Sequence, residues 1–284
     1  MTTSLVVMAA GVGSRFGGMK QVAGLGPSGE SLFDYAVYDA MQGGLDDVVF
    51  VVSEASRPAV EEHVNGGLGR HVEVRYVLQD AGGRAKPWGT GHAVLTACAE
   101  VRGPFGVINA DDFYRRRSFE LLGEALRTGN DHINVAFTLR ETLSSHGGVS
   151  RGLCLVDGEY LTAIQELHDV RQENGKVLND EGVDLTGDEP VSMNLWGFRP
   201  SFCEVLTAEF DRFRERVGPD DQKSEFLIGD AVDALDEHGS ARVRVVRTPE
   251  HFLGVTYKDD VEGVRAELAR LVAEGVYPSP LWGR

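Results

Sequence analysis

Ser4-Leu5-Val6-Val7-Met8-Ala9-Ala10-Gly11-Val12-Gly13-Ser14-Arg15-Phe16-Gly17-Gly18-Met19-Lys20-Gln21 joins a short apolar run to a glycine-rich segment. The run Ser4 to Ala10 suits a strand buried on both faces. A glycine loop directly after such a strand lets backbone N–H groups approach phosphates closely. Two familiar phosphate loops do not fit. The P-loop places its lysine directly after a glycine and before Ser or Thr, whereas Lys20 follows Met19 and precedes Gln21. The dinucleotide fingerprint needs a glycine where Phe16 stands, and its ribose-binding acid at the end of a second strand is missing, since Asp34 falls inside an expected helix. What remains is a loop with two fixed cations, Arg15 and Lys20, suited to neutralising the α-phosphate and departing pyrophosphate of a triphosphate.

Outward from this loop the chain alternates strand-like and helix-like stretches. Ser31 to Met41 has apolar residues at helical spacing, a capping-box pattern in Ser31 and Asp34, and Gly43 as a stop. Strands are expected at Asp47 to Val52, Val72 to Leu78, Phe105 to Asn109 and Ile133 to Leu139. Between them, helices are expected at Pro58 to Val64, Gly91 to Glu100 and Ser118 to Arg127. Such alternation points to an α/β fold with a mostly parallel sheet covered by helices. Beyond position 140 the pattern is more mixed. A hairpin is expected around Asp157-Gly158, a mobile loop at Gln172 to Glu189 and a strand at Val191 to Phe198, with helices at about 201–216, 225–237 and 259–274. No composition break marks a linker. The expectation is one domain over 1–284, with a nucleotide half at about 1–140 and an acceptor half at about 141–284.

The formal charge of −16 argues against a nucleic-acid partner and requires local positive charge wherever an anionic substrate binds. Lysine is scarce, and two of the five lysines, Lys20 and Lys86, fall in glycine-rich segments. No stretch approaches the ~20 apolar residues of a membrane span, and Met1 to Met8 lacks a basic signal-peptide region. These features point to a cytoplasmic protein. Cys98, Cys154 and Cys203 are far apart and odd in number, and read as reduced, buried thiols.

The segment Ala9 to Lys20 resembles the signature A-A-G-x-G-x-R-x(4,5)-K of the sugar-1-phosphate nucleotidyltransferase family, and the resemblance extends over nearly the whole chain. It implies a Rossmann-like three-layer α/β/α fold of the GT-A-like, nucleotide-diphospho-sugar transferase type, with a mixed, mostly parallel central sheet. It also implies a Mg²⁺-dependent enzyme that moves NMP from an NTP to a sugar 1-phosphate. Arg15 and Lys20 become the catalytic cations, and Ala9, Ala10, Gly11 and Gly13 the loop contacts to the nucleotide. Gln79 ends the third strand and precedes Lys86-Pro87-Trp88-Gly89-Thr90-Gly91-His92-Ala93. An amide can read a base edge, so Gln79, Gly89 and Thr90 are assigned to the base. Lys86 is a further phosphate candidate, and His92 a structural residue.

Asn109-Ala110-Asp111-Asp112 follows a buried strand, where α/β sheets bind ligands. Hard carboxylate oxygens suit Mg²⁺. The resemblance makes Asp111 the metal ligand, with Asp112 as fallback, and places Glu166 and Asn194 at the acceptor. Two departures stand out. Leu167 and then His168 follow Glu166 where relatives carry a phosphate-binding Lys, so His168, Lys223 and Arg199 become candidates for that anchor. Leu253 to Tyr257 carries no carboxylate where relatives supply a second metal ligand, leaving Asn194, Glu225 or Asp259 as substitutes. Other readings are a cytidylyltransferase acting on a phosphoalcohol or phosphonate, and a non-catalytic nucleotide sensor. A homo-oligomer remains open.

Overall fold

The computed structural model describes residues 2–11, 20–84, 86–218, 221–235, 238, 241–255, 257 and 259–283, with Lys20 described by its backbone alone. The first half contains β1 (Ser4–Met8), α1 (Leu32–Gln42), β2 (Asp47–Val52), α2 (Arg57–Gly66), β3 (Glu73–Leu78), α3 (Thr90–Ala97), β4 (Phe105–Asn109), β5 (Asp112–Phe113), α4 (Arg116–Thr128) and β6 (His132–Thr138). The second half contains β7 (Val149–Asp157), β8 (Tyr160–Glu173), β9 (Lys176–Leu178), β10 (Pro190–Phe198), α5 (Phe202–Val217), α6 (Ile228–Asp233), β11 (Val243–Arg247), β12 (Leu253–Gly254) and α7 (Asp260–Ala273).

The main sheet runs β3-β2-β1-β4-β10-β6-β11-β8-β7, with β9 on β8, while β12 and β5 form a separate pair. Alternate residues of the central strands feed opposite layers. Leu5 and Val7 pack with Phe33 and Val37 of α1 and Leu122 of α4. Val6 and Val107 pack on the other face with Val94 of α3 and Phe202 of α5. Both faces are therefore covered, which is why β2 is buried along its whole length. A third cluster joins Leu268 of α7 and the C-terminal Tyr277 and Leu281 to Tyr35 and Phe113. On the α1 side, Gly43 and Gly123 let α1 and α4 approach closely: a Cβ at Gly123 would lie 2.0 Å from the Gly43 carbonyl oxygen.

The sheet is mixed, and its parallel character is confined to β3-β2-β1-β4 and the β6–β11 pair. β10 runs antiparallel to both β4 and β6, and β7–β8 is a hairpin. Neither needs a covering helix to return the chain, so the β-α-β rhythm of the first half does not carry through the second. Other expectations also change. Gln172 to Glu189 is not one irregular loop, because β8 runs to Glu173, turns through Asn174 and Gly175, both at positive φ, and pairs with β9. The helix expected at 225–237 is only Ile228–Asp233, because Phe226 is drawn into backbone hydrogen bonds with Trp88 and Gly91.

The thiol reading is overturned as well. Cys98, at the C-cap of α3, and Cys203, in the first turn of α5, form a disulfide with Cα atoms 5.8 Å apart, and Cys154 is the free, buried cysteine. The cysteine count could not show that α3 and α5 pack side by side.

Candidate active site

Parallel pairing brings the C-terminal ends of β1, β3 and β4 to one edge. Ala9 N–H donates to the Val51 carbonyl, Gln79 N–H to Val52 and Ala110 N–H to Met8. The residues just past these strand ends therefore converge on a cavity of about 330 Å³, lined among others by Ala10, Gly11, Gln79, Gly89, Thr90 and Asp111. Ala9 is buried behind it and does not line it. Gly13 and Arg15 lie outside the described residues, as does the Lys20 side chain.

The wall around Gly89 is built from close backbone approach. Gly89 has φ +102°, a conformation favouring glycine. A Cβ there would meet the Phe226 carbonyl oxygen at 2.5 Å, and one at Gly91 would meet the Phe226 ring at 2.7 Å. Phe226 N–H donates to Trp88 O (2.6 Å), and Gly91 N–H donates to Phe226 O (2.9 Å). Gln79 is buried and donates through Nε2 to Gly89 O (3.0 Å), with His92 Nδ1 at 3.3 Å. Burial brings the His92 pKa down to about 4. Its ring stacks on Phe210, in keeping with a structural role.

Gln21 was not singled out by sequence reasoning, yet it lines this cavity, and its Nε2 donates to the Gly11 carbonyl. Gln21 sits in the short 3₁₀ turn Lys20–Val22. This bond ties together the two ends of the glycine-rich segment.

A second cavity of about 700 Å³ adjoins the first and shares Thr90, Asn109 and Asp111 with it. Glu166, His168, Asn194 and Asp112 line it. Its far wall is positioned by β10, which runs antiparallel to β4 and breaks register between Ser192 and Trp196. At that bulge Asn194 adopts φ +59°, a conformation that asparagine tolerates better than most side chains. Its Nδ2 donates to Asn109 Oδ1 (3.4 Å), and its Oδ1 accepts from Trp196 Nε1 (3.3 Å). Asn109 Nδ2 in turn donates to Asp112 Oδ2 (2.7 Å), which also lies 3.3 Å from the Tyr114 hydroxyl. Asp112 is thus part of a side-chain network, and Asp111 lines both cavities. Glu166 sits opposite Gly152 on β7, and burial raises its pKa.

The anchor candidates separate clearly. Arg199 donates to the carbonyls of Leu126, Gly129 and Asp131 and braces the α4–β6 connection. Lys86 and Lys223 are exposed and line neither cavity. His168 reaches the second cavity, and its hydrogen bond to Glu181 (2.7 Å) raises its pKa. Arg151, missed by the sequence reading, lines the same cavity but is buried and bonded to Thr142 and the Ser150 carbonyl. Of the candidate substitute metal ligands, Asn194 lines the second cavity, Glu225 lines the first and Asp259 lines neither. Among the described residues no three His, Cys, Asp or Glu side chains form a metal cluster. No helix of the described residues is long and apolar enough to cross a membrane.

A family model for nucleotidyl transferase matches residues 4–158. The chain is similar in structure to the inositol-1-phosphate CTP transferase from T. maritima, with a TM-score of 0.65 and 14% identity, covering 94% of this chain and 96% of that one. At that identity the likeness speaks for the fold. No curated protein matches by sequence.

Proposed function

Because the chain belongs to the nucleotidyl transferase family and is a nucleotidyltransferase, we propose that it transfers NMP from a nucleoside triphosphate to a sugar 1-phosphate, releasing pyrophosphate. One observation carries this reading. Two cavities, one walled by Gln79, Gly89 and Thr90 and the other by Glu166 and Asn194, meet at Thr90, Asn109 and Asp111. A nucleotide in the first and an acceptor phosphate in the second would have their reacting groups beside Asp111.

The acceptor phosphate oxygen attacks the α-phosphorus in line as the bond to pyrophosphate breaks. An anionic phosphate is already a nucleophile, so the protein's work is positioning and charge stabilisation. Among the described residues, the nucleotide cavity is lined by no Lys or Arg. Arg15 and Lys20 are therefore assigned to the triphosphate. The Asp111 carboxylate and the Asn109 Oδ1 offer hard oxygen donors at the junction. That fits magnesium, which takes one or two carboxylates plus substrate phosphates. Held at Asp111, it would neutralise charge developing on the leaving pyrophosphate.

The acceptor cavity favours a second reading of the acceptor. Its lining includes Glu166, Asp230 and Asp233. Those carboxylates suit sugar hydroxyls, and equally a phosphoalcohol with a cationic head such as phosphocholine. Measuring pyrophosphate release across sugar 1-phosphates, phosphoalcohols and phosphonates with each common triphosphate tests both. Release only with the cationic acceptors selects the second reading. Nucleotide binding without release in any pair leaves neither standing.

A further inference from the structure

We propose that the Tyr114 hydroxyl is a positioning group for the transfer step, fixing the distance between the turn that carries Asp111 and the β10 bulge that carries Asn194. It thereby sets how far apart the two substrates stand. The proposal rests on the nucleotidyl-transfer reading of the two cavities. Tyr114 is fully buried, with its ring edge-on to Phe119 and Phe252. Its oxygen accepts from Asn109 N–H (3.1 Å), and its O–H donates to the Met193 carbonyl (3.0 Å). A backbone N–H can only donate and a carbonyl can only accept, so one hydroxyl serves both. Asp112 Oδ2, at 3.3 Å, is the farther acceptor and already takes Asn109 Nδ2 at 2.7 Å.

The sheet leaves this place unpinned. β10 pairs with β4 only from Trp196, opposite Val107, and its pairing with β6 skips from Ser192 to Trp196. With β7 it pairs through Val191 and Ser192. Met193, Asn194 and Leu195 thus fall outside the strand registers. The side chains of Asn109 and Asn194 meet at 3.4 Å, near the limit of a hydrogen bond. The bonds of Tyr114 are shorter and grip the backbone on both sides. Thr90, Asn109 and Asp111 line both cavities, whereas Met193 and Asn194 line the second alone. The hydroxyl therefore joins the shared wall to a wall facing the acceptor. Gln79 and Gly89 are held by other contacts, and Glu166 by β8. Without the hydroxyl each substrate keeps its binding groups, but their relative placement is released. Transfer needs reacting atoms about 3–3.5 Å apart, and a misplacement of about 1 Å can cost 10²-fold.

The test compares the full chain with Tyr114→Phe, which keeps the ring, and with Val205→Ala, which weakens the core on the opposite face of the sheet. Pyrophosphate release is measured with the triphosphate and acceptor phosphate that react fastest, well below the melting temperature of each protein. Tyr114→Phe is expected to lower kcat by about tenfold to 10²-fold with both KM values within about twofold. Val205→Ala should leave kcat unchanged. Deuterium exchange, read on peptides covering 109–114 and 191–196, should be slow in the wild type and faster in both peptides of Tyr114→Phe. An unchanged kcat overturns the proposal, as does a loss carried by either KM. A kcat loss matched by Val205→Ala makes the effect one of stability and also overturns it. Faster exchange confined to 109–114 would send the hydroxyl hydrogen to Asp112 and remove the bridge to the bulge. Fast exchange of either peptide in the wild type overturns the bridge even if Tyr114→Phe does not fold. A wild-type chain that releases no pyrophosphate with any pair overturns the nucleotidyl-transfer reading and this role with it, while the exchange result still reports on the bridge.

Discussion

Replacing Gly89 with alanine attacks the nucleotide wall at one atom. Residue 89 has φ +102° and ψ −178°, and the new Cβ would lie 2.5 Å from Phe226 O and 2.9 Å from Phe226 N. Holding an L-residue there costs roughly 1–3 kcal/mol. Relieving the clash means moving Phe226 away, which strains its bonds to Trp88 and Gly91, each contributing about 0.5–1.5 kcal/mol. The total is about 2–6 kcal/mol, shared between stability and the shape of the cavity. With half of the cost on each, about 1–3 kcal/mol, thermal unfolding should fall by about 2 °C or more and kcat/KM for the nucleotide by about fivefold or more. Pyrophosphate release under nucleotide titration, run beside a melting curve, reads both. An unchanged Tm and an unchanged kcat/KM would refute the close-approach argument. A lower Tm with unchanged kinetics would make the contact a fold brace with no part in binding.

Other substitutions probe other parts of the molecule. Asp111→Asn keeps the size of the side chain and removes its charge, and should cost about 10²–10³ in kcat with a weakened response to magnesium titration; full magnesium-dependent activity would sink the assignment. Lys20→Ala or Arg15→Ala should cost a similar factor in pyrophosphate release, by analogy with losing one preorganised electrostatic donor. Cys98→Ser opens a covalent link between residues 105 positions apart, for which chain entropy gives a destabilisation of up to about 4–5 kcal/mol. A denaturant midpoint that responds neither to the substitution nor to reductant would remove the disulfide from the account. His132 is buried against Phe198 and Phe202, and its pKa is lowered to about 4 by burial and the nearby Arg199 charge. From pH 6.5 down to about 4 the unfolded chain takes up a proton that the folded chain refuses, so stability should fall by about 3 kcal/mol as pH drops. Asp39, raised to about 7 by burial, acts oppositely, losing stability as pH rises between about 4 and 7. The check is therefore the stability difference between wild type and His132→Asn followed with pH, which should be constant above pH 7 and shift against the wild type as pH falls from about 6.5 to 4.

The first half of the chain was legible because its strands are continuous apolar runs with helical spacing between them, and the Ser31–Asp34 capping box forms as read. Gln79 and Asp111 lie just past strand ends, Asn194 at the β10 bulge and Glu166 within β8, and the folded chain brings all four to two adjoining cavities. What the sequence could not show depends on tertiary contact. β11 was missed because Val243–Arg247, VRVVR, is short and lacks clean apolar–polar alternation, and gains its identity by pairing with β6. The helix at 228–233 was overextended because the pull of Trp88 and Gly91 on Phe226 has no local signal. Arg199 looked like an anion anchor until its guanidinium met four backbone carbonyls. Gln21 could have been found, since its position just past Lys20 suits it to close a loop, but nothing in its neighbourhood names Gly11 as its partner.

The placement of charge follows from the same geometry. The chain carries a formal −16, and the described nucleotide wall adds Asp111 and Glu225 without a cation. The acceptor wall adds Asp112, Glu166, Asp230 and Asp233 against His168 and an Arg151 already bonded to Thr142 and Ser150. On its own such a cleft repels both a triphosphate and an acceptor phosphate. Arg15, Lys20 and a magnesium ion at Asp111 would reverse that sign at the junction alone. The rest of the cleft keeps its acceptors for hydroxyls and amines. On the proposed reading a phosphate would be held only where reaction is to occur, and the carboxylate-lined walls would read the neutral or cationic ends of the two substrates.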